Sequence, residues 1–333
     1  MEQFKKEFED TISIAQRELS EHKKDWEDRY IDYLKKTNGN ISEIMERRSK
    51  FHKWGPLSIY STIGLAKNNS RCFDIRYQGQ SVGNISVTPE FQVLLHISES
   101  QYSNNCNKKY FDGYPIDCKP TKKTQGYDWK KAPEARLFRE YFKKDLGKKG
   151  HPEHRCENLL LKHLTGRVMV GEQLLQIQPV TITKDLFFQM PTPLTASGNE
   201  VRYSDGHGGI DLLARCKRGN KTTLTLFELK DEPDNPNKVI KQAIAYATFI
   251  VELCKTSAQN DFWKLCFPEN SKAAMTGNDV INVSVLLPEQ ESMPSFVNKE
   301  LAVPGSDIKL KLHCTYFKLE GETAVITQTS LLS

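Results

Sequence analysis

Gly209-Ile210-Asp211-Leu212-Leu213, then Gly219-Asn220, then Leu226-Phe227-Glu228-Leu229-Lys230 form the stretch on which the fold turns. Two alternating apolar runs separated by Gly-Asn signal a β-hairpin closed by a two-residue turn. A turn centred there sets Arg218 opposite Lys221, and the same register carried back sets Asp211 opposite Glu228. Facing residues of an antiparallel pair project to one side, with Cβ atoms about 4.5–5.5 Å apart. Lys230 shares that side because strand side chains alternate. Two carboxylates and one ammonium are expected together at a strand end.

Facing carboxylates repel, and a divalent cation between them removes the conflict. Oxygen donors suit Mg²⁺ or Mn²⁺, and Mg²⁺ keeps several waters and meets phosphate oxygens. A lysine beside such a pair can orient or deprotonate water, or stabilise developing charge. The set suits metal-assisted hydrolysis of a phosphodiester. The plainer alternative is a surface hairpin in which Lys230 only neutralises the acids. The apolar company of Ile210, Leu212 and Leu226 argues against a solvated surface.

Working outward, a helix is expected from Lys238 to about Leu253, placing Gln242 and Tyr246 one turn apart on one face. Lys238 and Lys241 open that helix and are candidates for phosphate contact. Strands are expected at Val280–Leu287, Ile308–Leu319 and Ala324–Thr329. Upstream, a helix from Pro152 to about Leu164 precedes a strand near Leu174–Ile182, and a polar loop then runs to Gly209. Gln176 and Gln178 alternate onto one face of that strand. The order αβββαβ, with further β at the end, implies an α/β domain with a mixed central sheet flanked by helices.

The first 150 residues read differently. Phe4, Phe8, Ile12, Ala15, Leu19, Trp26, Tyr30 and Tyr33 recur at helical spacing, predicting an amphipathic helix over 2–36. Its stripe serves core packing or pairing with a second copy of the chain. Asn38-Gly39-Asn40 ends it, and Ser42 caps a second helix to about Phe51. Cys72–Tyr77 and Ser81–Val87 flank Gln78-Gly79-Gln80 as a hairpin, Phe91–Ile97 is a strand, and 99–131 reads as a long loop. Pro133-Glu134 opens a helix, and Gly147-Lys148-Lys149-Gly150 marks the expected boundary between an N-terminal module, 1–150, and a second domain, 151–333. Residues 108–149 hold thirteen Lys and Arg against six acids, an excess larger than the +5 of the whole chain. That concentration, with Tyr110, Tyr114, Tyr127 and Trp129 interleaved, suits a polyanion, and Lys122, Lys123, Lys130 and Lys131 are the nucleic-acid-binding candidates.

Asp211 with Glu228-Leu229-Lys230 resembles the PD-(D/E)xK nuclease superfamily, whose members include restriction endonucleases, junction resolvases and RecB-like nucleases. Asp211 matches the first acidic position and Glu228-Leu229-Lys230 the ExK triplet; Ile210 stands where many members have proline. Glu21-His22-Lys23 also spells ExK, but within a charged helix. Gln242 and Tyr246 resemble the QxxxY motif of RecB-like members. The resemblance, which covers about 151–290, implies a restriction-endonuclease-like α/β/α core and Mg²⁺- or Mn²⁺-dependent cleavage of DNA, with RNA left open. It implies that Asp211 and Glu228 bind metal, that Lys230 handles the attacking water, and that Gln242 and Tyr246 orient the site. It further implies that Glu157, on the helix before the first strand, supports the metal; Glu153 is a competing acid there. The rival expectations are a catalytically inactive nucleic-acid-binding protein or a ligand-gated defence protein of the same fold.

Composition closes off other classes. The chain has 333 residues, 38% hydrophobic and 27% charged, with no apolar run long enough to span a bilayer. Its charged N-terminus has no signal-peptide core, so a cytoplasmic location is expected. Eight cysteines without a CxxC pair argue against structural zinc and predict mostly small core thiols. His207 reads as an ordinary loop histidine. His151 and His154 lack a metal-ligating partner at suitable spacing. P-loop, GxSxG and HExxH motifs are absent.

Overall fold

The computed structural model describes residues 2–52, 54–65, 70–97, 111, 114, 126–143, 152–164, 166–183, 186–197, 200–219, 221–268, 280–321 and 323–332. The fold is mixed α/β. Its backbone divides into two compact units, a first of Met1–Asn38, Leu159–Val180 and Gln189–Ser333, and a second of Gly39–Asn158 and Thr181–Phe188. These are not the consecutive modules 1–150 and 151–333 expected from the sequence. The apolar stripe of the N-terminal helices is buried within the first unit, and a short two-strand excursion after Val180 pairs within the second. The expected boundary at 147–150 lies outside the described residues.

In the first unit, helices α1 (Glu2–Glu21) and α2 (Lys23–Gly39) replace the single expected helix. They meet at His22, where the Trp26 indole N–H donates to the Leu19 carbonyl at 2.8 Å. Phe8, Ile12, Ala15, Leu19, Trp26 and Tyr30 are all buried. Trp26 and Tyr30 set their rings 5.7 and 4.9 Å from that of Phe249. Their stripe therefore serves this chain's own core.

The central element is an eight-stranded mixed sheet. Its strands are β6 (Gly166–Val170), β7 (Gln173–Pro179), β12 (Leu212–Arg218), β13 (Lys221–Leu229), β14 (Val280–Pro288), β15 (Glu300–Ala302), β16 (Lys309–Glu320) and β17 (Thr323–Thr329). They lie in the order β15-β16-β14-β13-β12-β7-β6, with β17 on β16. β12 is antiparallel to β7 and β13, whereas β13, β14 and β16 run parallel. Parallel strands covered on both faces read as continuous apolar runs, as Val283-Ser284-Val285-Leu286-Leu287 does. Helix α6 (Pro236–Cys254) packs on β13 and β14, and α1 packs on α6. Asn235 caps α6, its side-chain oxygen accepting from the Asn237 N–H at 3.0 Å. Helix α7 (Gln259–Cys266) follows.

The expected polar loop before Gly209 is instead a hairpin of β10 (Pro191–Ser197) and β11 (Glu200–Gly209), a separate two-stranded sheet lying against α6 and α1. Its prolines and glycines hide the strand signal. A Cβ on Gly208 would stand 1.9 Å from the Leu194 carbonyl oxygen, so the close strand approach requires glycine there.

The second unit holds a seven-stranded sheet ordered β5-β4-β3-β2-β1-β9-β8. Its strands are β1 (Ser58–Leu65), β2 (Arg71–Tyr77), β3 (Gln80–Val87), β4 (Val93–His96), β5 (Tyr127–Asp128), β8 (Thr181–Thr183) and β9 (Leu186–Phe188). Gln78 and Gly79, both at positive φ, close the β2–β3 hairpin, with Tyr77 paired to Gln80. Helices α3 (Ile41–Arg48) and α4 (Pro133–Lys143), and the part of α5 (Pro152–His163) up to Asn158, complete the unit. Asn40, not Ser42, stands at the N-cap of α3, which ends at Arg48. No helix among the described residues is long and apolar enough to cross a membrane.

Candidate active site

The hairpin register is the expected one. β12 and β13 pair one-to-one from Arg218↔Lys221 to Leu212↔Phe227. Asp211 lies one step beyond the last pair, in the short break between β11 and β12. Two backbone bonds hold that break: the Ile210 N–H donates to Met190 O at 2.9 Å, and the Val180 N–H donates to Leu213 O at 2.8 Å. Asp211 turns one oxygen onto the neighbouring strand, where Oδ2 accepts from the Leu229 N–H at 2.8 Å. It thereby ends the ladder with a side chain and remains half-buried.

Glu228 is 1% exposed. Lys230 reaches back to it, Nζ standing 3.3 Å from Oε1, with the lysine side chain 26% exposed. The Lys230 N–H donates to Leu286 O at 3.1 Å, so the lysine backbone continues the parallel ladder toward β14. A buried carboxylate, a half-buried carboxylate and a partly exposed ammonium thus converge at the end of β13.

Helix α6 covers this end. Gln242 Nε2 donates to the Tyr246 hydroxyl at 3.3 Å. Burial pushes the Tyr246 phenol up to about 12, and the Glu228 charge adds to the rise. Hydrogen bonds with Gln242 and the Ala196 backbone oppose it, and Asp211 contributes a further increase. Tyr246 is therefore a neutral hydroxyl facing the field of both carboxylates. Ala196 belongs to β10, the strand the sequence reading missed, and the alternating Leu194-Thr195-Ala196 was its only signal.

Asp211, Glu228, Lys230, Gln242 and Tyr246 are thus brought to one place. Glu157 is buried in the second unit, its Oε2 3.4 Å from His154 Nδ1. Lys238 is exposed on the first turn of α6. Lys241, expected to meet phosphate, instead pairs with Glu7 at 2.7 Å with its side chain 15% exposed, because α1 packs across α6. Lys130 and Lys131 are exposed in the second unit, their N–H groups donating to Asp128 Oδ1. Lys122 and Lys123 lie outside the described residues, as do Tyr110 and His151 and the side chain of His207.

Two of the aromatics expected to interleave that basic segment face inward instead. Tyr114 and Trp129 are each 5% exposed in the core of the second unit. Arg139 lies 4.7 Å over the Trp129 ring and donates to its carbonyl, which holds the indole inward. Gln176 and Gln178 share the sheet face of Asp211, facing Lys217 and Arg215. They lie four or more residues along the strand from Asp211, roughly 13 Å or more at about 3.3 Å per residue. Burial pushes the Cys216 and Cys254 thiols up to about 12 and that of Cys314 up to about 11, which suits inert core thiols.

Among the described residues no cluster of three or more His, Cys, Asp or Glu is placed to hold a metal. The acids at this end of β13 are the two carboxylates of Asp211 and Glu228. No family model matches the chain, and neither curated proteins nor solved structures yield a match.

Proposed function

We propose that the first unit is a metal-dependent nuclease of the PD-(D/E)xK, restriction-endonuclease-like type that hydrolyses DNA phosphodiester bonds with Mg²⁺ or Mn²⁺. The observation that carries this reading is the hairpin register that brings Asp211 level with Glu228, with the Lys230 ammonium 3.3 Å from the latter. The donor set fits the metal. Mg²⁺ takes one or two carboxylates and fills its remaining positions with water and phosphate oxygens, which suits a site with two acids. When bound, the ion supplies Lewis-acid stabilisation of charge on the phosphoryl oxygens and acidifies water.

The chain's own groups supply the rest. Asp211 is held by the Leu229 N–H, so its carboxylate is preorganised without a folding step at binding. Lys230, anchored to Glu228, points an ammonium to the partly exposed side, where it orients the attacking water and offsets the developing negative charge. Gln242 and Tyr246, bonded to each other at 3.3 Å, set a neutral polar pair in the field of the two carboxylates, and Lys238 offers a cation to a phosphate at the helix start.

The test is incubation of the purified chain with plasmid, linear and single-stranded DNA and with RNA, in Mg²⁺, Mn²⁺ or EDTA. Metal-dependent DNA cleavage is expected, reduced about a hundredfold or more by Asp211→Asn, Glu228→Gln or Lys230→Ala. Equal cleavage by the wild type and all three variants would remove the assignment.

A further inference from the structure

One flank of the second unit carries cations that aromatic rings hold in place. Helix α4 sets Arg136, Arg139 and Lys143 on one side, since residues three, four and seven apart share a helix face. The Arg139 guanidinium lies 5.3 Å from the centroid of the Trp54 ring and 4.7 Å from that of Trp129, and it donates to the Trp129 carbonyl. Lys143 Nζ lies 4.8 Å from the Trp54 centroid. Trp129 is buried and Trp54 half-buried. Lys130 and Lys131, directly after Trp129, are exposed, as are Arg136 and Lys143.

An aromatic ring orders a cation without cancelling its charge, as a carboxylate would. The acids nearby are already committed: Glu140 pairs with Arg136 at 3.8 Å, and Asp128 accepts from the backbone N–H groups of Lys130 and Lys131. Among the described residues no carboxylate forms an ion pair with Lys130, Lys131, Arg139 or Lys143. Burial lowers the Arg139 guanidinium from its ordinary value, Glu140 opposes the fall and Arg136 adds to it. Four positive groups thus stand ordered and without a counter-charge.

We propose that this flank binds single-stranded nucleic acid, with Lys130, Lys131, Arg139 and Lys143 meeting its phosphates and the open part of the Trp54 ring meeting a base. The 11 residues of α4 span about 16 Å, so one small anion cannot meet the lysines at both ends, whereas a chain of phosphates can. A single strand offers unpaired bases to an aromatic ring, and a duplex keeps them stacked inside. The apolar face of α4, formed by Ala135, Phe138, Tyr141 and Phe142, is buried, which leaves that helix nothing to insert into a bilayer. The rings order the cations before a strand arrives, which lowers the entropic cost of binding it. As the seat of a substrate strand this flank rests on the nuclease reading; as a binding site it does not.

The test measures binding to the full chain in EDTA, which stops metal-dependent cleavage, from about 50 to 200 mM salt. The probes are a single-stranded oligonucleotide of mixed sequence, its duplex, polyglutamate, and vesicles of phosphatidylcholine and phosphatidylserine. The single strand is expected to bind most tightly. Lys130→Gln and Lys143→Gln together are expected to weaken it about tenfold and to lower the slope of log affinity against log salt by about 0.7 for each lysine removed. Trp54→Leu is expected to erase the preference for the single strand over the duplex. Should Trp54→Leu not fold, the variants at the two exposed lysines carry the comparison. Affinity and salt slope unchanged in folded lysine variants, tighter binding of duplex, polyglutamate or vesicles, or no binding overturns the proposal. Cleavage by the wild type with binding unaltered in the variants removes this proposal alone. Binding lost in the variants, with no cleavage under Mg²⁺ or Mn²⁺, removes the nuclease reading alone.

Discussion

His313 shows how one buried residue sets the acid limit of the first unit. It is 2% exposed on β16, with Nδ1 3.1 Å from the Ser330 hydroxyl. Burial, followed by the Lys311 charge, lowers its imidazole to about 4 from an ordinary 6.5. The unfolded chain takes up a proton near 6.5 and the folded chain only near 4, so this contribution to stability is whole above about 6.5. It drains away as the pH falls toward 4, by roughly 3 kcal/mol at full effect. Denaturant midpoints measured from pH 7 to 4 are expected to fall, and His313→Gln is expected to flatten that fall. An unchanged slope would show that His313 does not govern it.

At the scale of elements, the β12–β13 hairpin was legible because a Gly-Asn turn fixes register, and register alone decides which side chains face each other. Helix α6 was legible for a similar reason, since helical spacing alone puts Gln242 and Tyr246 on one face. The β10–β11 hairpin was not legible. Its strands carry Pro191, Pro193, Gly206, Gly208 and Gly209, which propensity counts as loop, and only packing against α6 and α1 makes them a sheet. Lys241 was misread because no local pattern tells which distant helix supplies its anion. The role of β10 as a wall beside Tyr246 gives a prediction. Gly208→Ala drives a methyl into the Leu194 carbonyl and is expected to cost about 2 kcal/mol or more, lowering the melting temperature and any cleavage together. A variant as stable and active as the parent would show that the close approach at Gly208 is not required.

At the scale of the molecule, the chain does not divide where its composition changes. The N-terminal helices fold with the C-terminal sheet, and burial of Phe8, Ile12, Leu19, Trp26 and Tyr30 explains why. At roughly 1.5–3 kcal/mol for each such side chain, their loss removes on the order of 10 kcal/mol, as much as a typical domain's whole stability. A fragment of residues 151–333 is therefore expected to lack a cooperative thermal transition that the full chain displays. A soluble fragment melting as the full chain does would contradict this division. The central claim, that Asp211 and Glu228 together hold a divalent cation, is tested most directly by Mn²⁺ binding followed by electron paramagnetic resonance on the full chain. The account predicts a bound-Mn²⁺ signal that Mg²⁺ displaces and that is lost in both Asp211→Asn and Glu228→Gln while circular dichroism stays unchanged. Mn²⁺ uptake identical in the wild type and both variants would contradict it.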